Sequence, residues 1–125
     1  MTAPLKGVKI VELATMIAVP FATYQLACQG ATIIKVEAAV GGDDLRRYGS
    51  QKNGMSGWFA NANGGKRSIA LDLTDADAIA VMWKLIEGAD VFVNGFRPGV
   101  VERLGFGWDE CRDRNPRLIH VSFAP

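Results

Sequence analysis

The sequence predicts an α/β fold, a doubly wound and mostly parallel sheet with helices on both faces, incomplete within these 125 residues. Three observations predict it. Apolar runs rich in β-branched residues alternate with stretches of helical periodicity. Residues 8–37 read strand, helix, strand, which is a βαβ unit with a right-handed crossover. Glycine, proline and asparagine fall mainly between these stretches, where they punctuate the chain.

Taken in order, residues 8–13 are a buried strand, an apolar run interrupted by Lys9 and Glu12. A helix starts near Val19 and Pro20, because proline suits the first helical position. Ile17, Phe21, Tyr24 and Cys28 share its apolar face, and Gly30 ends it. Residues 32–37, TIIKVE, are the second strand. The turn between them, 14–18, has no G-x-G-x-x-G, so a dinucleotide pyrophosphate cradle and a nicotinamide cofactor are not expected. Residues 38–65 change character, with repeated glycines and little apolar periodicity. They read as one long functional excursion whose adjacent aromatics, Trp58 and Phe59, both need burial.

Ile69, Leu71 and Leu73 alternate as a third strand. Thr74 and Asp77 form a capping pair, with Asp75 also favouring the helix start. Ile79, Met82, Trp83 and Ile86 make the helix's apolar stripe, and Gly88 closes it. Residues 90–93 are the fourth strand, 108–112 a single helical turn, and 118–123 the fifth strand. No helix follows to cover that last strand. The expectation is the N-terminal part of a longer polypeptide, or a module that needs a partner.

Composition narrows the class. At 49% hydrophobic and 22% charged, the chain suits one globular domain with a sizeable core. A net charge of +1 argues against nucleic-acid binding by general basicity and against a polybasic membrane segment. Cys28 and Cys111 form no C-x-x-C pair and no metal-ligand spacing, so neither a disulfide framework nor a metal site is expected. Cys28 reads as a small buried hydrophobe. With no signal-peptide layout and no apolar run of membrane length, the expectation is a soluble cytoplasmic protein.

The stretch 91–105, VFVNGFRPGVVERLG, is the most informative chemically. A strand breaks into the turn 94–99 and restarts as a short helix. Open α/β sheets hold ligands at such strand ends. Phe96, between the cations Arg97 and Arg103, suggests a grip for an anionic, partly flat ligand. Lys35, Arg46, Arg47, Lys66 and Arg67 are further cations at strand ends or in loops. Converging, they would hold a polyphosphate; spacing alone favours scattered surface charges. His120 reads as a packed sheet histidine, Glu12 and Glu37 as carboxylates bonded to a neighbouring loop, and Asp43 with Asp44 as solvated loop residues, not a metal pair.

In this order and spacing, PLKGVKIVEL (4–13), GATIIKVE (30–37), GGDDLRR (41–47), NGGKRSIALDL (63–73), ADVFVNGFRPGVVERLGFGWDE (89–110) and NPRLIHVSF (115–123) resemble the N-terminal segment of the family III CoA-transferases. That group includes formyl-CoA transferase, the carnitine-CoA transferase type and α-methylacyl-CoA racemase. The resemblance implies a Rossmann-like, CoA-binding sheet in residues 1–125, acting on acyl-CoA and a carboxylic acid within an interlocked homodimer. Carried over by position, the CoA contacts are Met16, Ile17, Ala18, Leu71, Phe96, Arg97 and Arg103, with adenine near Leu71 and Arg103 near the phosphates. The chain departs from the pattern at Gly95, where many members have Asn, at Ala38, where some have Arg, and at 26–31, which lacks an acidic residue. The catalytic Asp that forms the acyl anhydride and thioester would lie downstream of position 125, so no catalytic residue is assigned here and the segment alone is expected to be inactive. The alternatives are a 2-methylacyl-CoA racemase segment, or a truncated module that binds CoA or a nucleotide without catalysis.

Overall fold

The computed structural model describes residues 3–124. In chain order its elements are β1 (Lys9–Leu13), α1 (Ala18–Cys28), β2 (Thr32–Ala38), a 3-10 turn (Asp44–Arg47), β3 (Gln51–Lys52), β4 (Met55–Ser56), α2 (Gly57–Asn63), β5 (Arg67–Leu71), α3 (Ala76–Glu87), β6 (Val91–Asn94), α4 (Val100–Arg103), α5 (Trp108–Arg114) and β7 (Ile119–Ser122). Five strands pair in parallel in the order β5-β2-β1-β6-β7. The chain winds outward from β1 through β2 to β5, then crosses back to β6 and β7. That reversal beside β1 is the topological switch of a doubly wound sheet, the Rossmann-like architecture expected from the sequence. The short strands β3 and β4 form a separate antiparallel hairpin.

Both faces of the central strands β2, β1 and β6 are covered, which explains their nearly continuous apolar runs. Ile10, Ile33 and Val93 point to one side and pack with Val19 of α1. Val11, Leu13, Val36 and Phe92 point to the other and pack with Met82, Trp83 and Ile86 of α3, Val101 of α4 and Cys111 of α5. Phe92 and Ile86 are completely buried, and each such side chain contributes roughly 1.5–3 kcal/mol of apolar transfer energy.

Several local expectations are corrected. Helix α1 begins at Ala18, so Pro20 stands third; any of the first four N–H groups lacks an intrahelical partner, so proline costs nothing there. The stripe Ile17–Phe21–Tyr24–Cys28 does not face the core. Ile17 and Phe21 are each 46% exposed, and Val19, Pro20 and Thr23 point inward instead. The helix carries no charged residue, so its periodicity could not single out a face. Cys28 is accordingly exposed, and Cys111 is the buried thiol. Burial, followed by the charge of Glu110, pushes the Cys111 thiol up to about 11.

Residues 38–65 are not one irregular loop. Asp43 caps the 3-10 turn, and Ser56 caps α2 by accepting from the Phe59 amide at 3.3 Å. Phe59 is buried with Leu45 and Ala62, whereas Trp58 is 56% exposed, because adjacent helical residues point in different directions. At α3, Asp75 is the cap and accepts from the Asp77 and Ala78 amides, while Thr74 bonds to Asp72. Helix α5 extends to Arg114, beyond the single turn expected. Ile119, Val121 and Phe123 leave the α1 side of β7 exposed, in line with a strand that no helix covers among the described residues.

Candidate functional site

The carboxyl ends of β1, β2, β5 and β6 frame a cleft of about 350 Å³. Leu13 forms its floor beside the switch point, and Ala38, Ala39 and Val40 lead away from β2. Leu71 and Leu73 stand on one side, Phe96 and Leu104 on the other. Polarity enters only through Glu37 and Asp72. A mostly apolar slot with an aromatic wall suits a flat heterocycle, and its volume falls in the lower range of small-molecule sites.

The turn after β6 reaches the cleft because of Gly95. A Cβ there would lie 3.0 Å from Ala14 Cβ and 3.2 Å from Val19 Cγ2, so the absence of a side chain lets this turn pack against the turn after β1. The Gly95 amide donates to Leu13 O at 3.2 Å. The departure at Gly95 thus has a packing reason in this chain. Of the seven residues singled out from the sequence, Leu71 and Phe96 line the cleft together. Met16 turns the other way and packs against Leu45, Phe59 and Ala62. Ile17 and Ala18 are exposed at the start of α1, and Arg97 and Arg103 are exposed on the turn and on α4.

Beside the cleft lies a buried charge network that the sequence did not disclose. Lys35 Nζ donates to Glu12 Oε1 at 2.8 Å and to Ala14 O at 2.9 Å. Asp43 Oδ2 is 2.8 Å from the same ammonium as an ion pair, though out of hydrogen-bonding line. Asp43 Oδ1 accepts from the amides of Met16 and Leu45, each at 2.9 Å. Glu12 Oε2 accepts from Thr23 and from Lys66 Nζ, and Lys66 also donates to Pro20 O and Asn63. Glu12, Asp43 and Lys35 have side chains at most 1% exposed. Asp43 is therefore not a solvated loop residue, and Lys35 and Lys66 are not surface charges. Two acids against two ammonium groups leave no net buried charge, the condition for tolerating such a cluster. Burial pushes the Lys66 ammonium below its ordinary value, against the pull of Glu12. The one sequence signal was a pair of opposite charges, Glu12 and Lys35, inside adjacent apolar strands.

Glu37, next to the last residue of β2, is equally occupied. It accepts from the Asp43 amide, from Arg46 Nε and Nη2, and from Ser68 Oγ. Arg46 also lies over the Phe59 ring at 3.8 Å. Burial alone would raise the Glu37 carboxyl, but the bonds from Arg46, Ser68 and the Asp43 amide outweigh it and hold the group at about 2. This acid therefore stabilises the fold above its ordinary value of 4.5, and that contribution fades as pH falls from there toward about 2. Urea midpoints followed from about pH 6 to about pH 2 should fall less steeply for Glu37→Gln than for the unaltered chain. Equal slopes would remove Glu37 as the responsible group.

These carboxylates are structural. None is free to attack or to abstract a proton, and Glu37 has no lone pair left for a ribose diol, the role an acid at this strand end takes in dinucleotide sites. His120 is half-buried against Phe92 and Trp108, with Nε2 3.3 Å from Phe106 O, as a packed sheet histidine. Among the described residues no group of three or more His, Cys, Asp or Glu is placed to hold a metal, and no helix is long and apolar enough to cross a membrane.

Comparison with known proteins gives this geometry a context. The family model for CoA-transferase family III matches residues 5–124. The chain is 40% identical over 119 residues to an acetyl-CoA:oxalate CoA-transferase of Acetobacter aceti, covering 95% of this chain and 31% of that protein. It is 37% identical over 122 residues to the human succinyl-CoA:glutarate CoA-transferase, covering 97% and 28% respectively. The crystal structure of Rv3272 from Mycobacterium tuberculosis superposes with a TM-score of 0.91 at 38% identity, over 98% of this chain and 35% of that one. A CAIB/BAIF family protein from Brucella suis gives 0.90 at 34%, over 98% and 33%. The chain thus spans about a third of the length of the proteins it matches.

Proposed function

This chain belongs to CoA-transferase family III, and from that premise we propose that it forms the coenzyme-A-binding part of an enzyme that moves CoA between carboxylic acids. The observation that carries the proposal is the cleft at the switch point, where Leu71 and Phe96 form facing walls of an apolar slot. In this reading the adenine enters between them. The diphosphate lies toward the exposed guanidinium groups of Arg97 and Arg103, which suit phosphate oxygens. The turn at Met16, Ile17 and Ala18 lies outside that slot, just beyond Ala14, which packs against Gly95, and in this reading it meets the part of the coenzyme that extends past the cleft.

Transfer through an acyl anhydride needs a carboxylate nucleophile beside the thioester. Glu12, Glu37 and Asp43 are committed to buried bonds. Following the family resemblance, the proposed nucleophile is an Asp beyond position 125, in a whole protein that works in the cytoplasm as an interlocked homodimer. The transferase reading is favoured over the racemase one, because the relatives named above are CoA-transferases.

Calorimetric titration tests the binding. CoA and adenosine 3′,5′-bisphosphate should both bind with micromolar affinity, and NAD should not compete. No heat at millimolar CoA would sink the proposal.

A further inference from the structure

Met16 has φ 67°, a left-handed backbone that residues with a β-carbon seldom adopt. Only one other non-glycine residue among those described shares it, Asn53 in the β3–β4 hairpin. Asn53 stands where hairpin turns call for such a conformation. Met16 stands in the turn after β1, between Leu13, which lines the cleft, and α1. The Met16 amide points at Asp43 Oδ1, 2.9 Å away and 27 residues along the chain.

Asp43 is itself held from three sides. Its Oδ2 is paired with the buried Lys35 ammonium. Its backbone amide donates to Glu37 Oε2 at 2.8 Å. The preceding Gly42 has φ 62°, and a Cβ there would meet Glu37 Oε2 at 2.7 Å, so the chain can enter this corner only as glycine. Lys35 in turn donates to Ala14 O, in the same turn as Met16. One cation therefore grips the turn at Ala14, and its counter-ion grips it at Met16. The turn lies against Gly95 next to Phe96, so any relaxation would be felt at the cleft wall.

We propose that Asp43 is a positioning residue for coenzyme binding, a latch anchored by Lys35 that keeps the β1–α1 turn in the left-handed form at Met16. This deepens the CoA-binding reading above and rests on it. The latch touches no ligand and acts through the Met16 backbone.

Two measurements on the 125-residue chain test it. Amide exchange reads the latch with no ligand present. Asp43→Ala should speed exchange at Met16 by about tenfold relative to amides in α3, since the amide loses its acceptor. CoA titration reads the consequence. Asp43→Ala should weaken binding by about tenfold, but by less than about twofold when introduced into Met16→Gly, because glycine adopts the left-handed form unaided. Should Asp43→Ala fail to fold, Asp43→Asn, which still offers an oxygen to the Met16 amide but loses the ion pair with Lys35, should speed that exchange by a smaller factor of about threefold, while Asp44→Asn, its exposed neighbour, should leave it unchanged. Unchanged exchange at Met16 would overturn the latch. So would an equal loss of CoA affinity with Met16 or glycine at the turn. If the unaltered chain binds no CoA, the function proposed above falls, and exchange at Met16 still decides whether the latch exists.

Discussion

Replacing Lys35 by Met is expected to lower the unfolding free energy by roughly 3–5 kcal/mol, the usual cost of removing one partner from a buried ion pair. Methionine fills much of the same volume, so the effect isolates the charge. Glu12 would keep Lys66 and Thr23. Asp43 Oδ2 would lose its direct ion pair, because among the described residues Lys35 is the one cation within pairing distance and no hydrogen bond reaches that oxygen. A domain of this kind has only about 5–15 kcal/mol of total stability, so the variant should unfold at a clearly lower urea concentration, or fail to fold at physiological temperature. Arg112→Ala supplies the contrast. Arg112 pairs with Asp109 at 3.3 Å on the exposed side of α5, and its loss should change stability by no more than about 0.5 kcal/mol. Urea unfolding followed by tryptophan fluorescence separates the two. A Lys35→Met loss as small as that of Arg112→Ala would mean that the buried charges are not holding the two strands and the turn together.

Phe96→Ala should be the most damaging single change to ligand binding. Phe96 is half-buried, backs onto the core and presents an aromatic wall to the cleft. Stacking of a base on an aromatic ring is worth roughly 1–3 kcal/mol by alanine substitution, so CoA affinity should fall by about 5- to 150-fold. The identity of the lost contact can be read from fragments. Adenosine 3′,5′-bisphosphate should lose affinity in parallel with CoA, whereas pantetheine, which has no purine, should not. Phe96→Tyr, which keeps the ring, should bind nearly as well as the unaltered chain. If CoA binds Phe96→Ala unchanged, or if pantetheine is affected as strongly, the purine does not lie against this wall.

Much of the architecture was legible before any coordinates. The strand β1, the crossover helix α1 and the strand β2 follow from apolar runs bounded by turn residues, and so does the strand–turn–helix at 91–105. The turn 94–99 was identifiable as a ligand-side feature because it follows a strand and carries an aromatic residue with cations. Leu71 and Phe96 entered through the family resemblance, and the fold brings them to one cleft. The other five residues proposed with them do not line it. The charge network was not legible. Glu12 and Lys35 were visible as charges in apolar runs, but their pairing depends on the parallel register that sets Glu12 opposite Lys35. Lys66 reaches Glu12 from 54 positions away. Asp43 and Asp44 are adjacent and chemically identical, yet one is completely buried and the other exposed.

The sequence by itself determined where the five strands of the main sheet and the helices α1 and α3 form, the family, and the glycine and proline positions of the main turns. Those properties are set by backbone geometry and side-chain volume over a few neighbouring residues, so a local pattern reports them. The tertiary structure alone decided which face of α1 is buried, that Phe59 and not Trp58 enters the core, and that Asp43 and not Asp44 meets Lys35. Each of these depends on what lies across the interface. A charge can be buried only where a partner from another strand or loop arrives within bonding distance, and that arrival is a consequence of sheet register and crossover, which no local pattern contains.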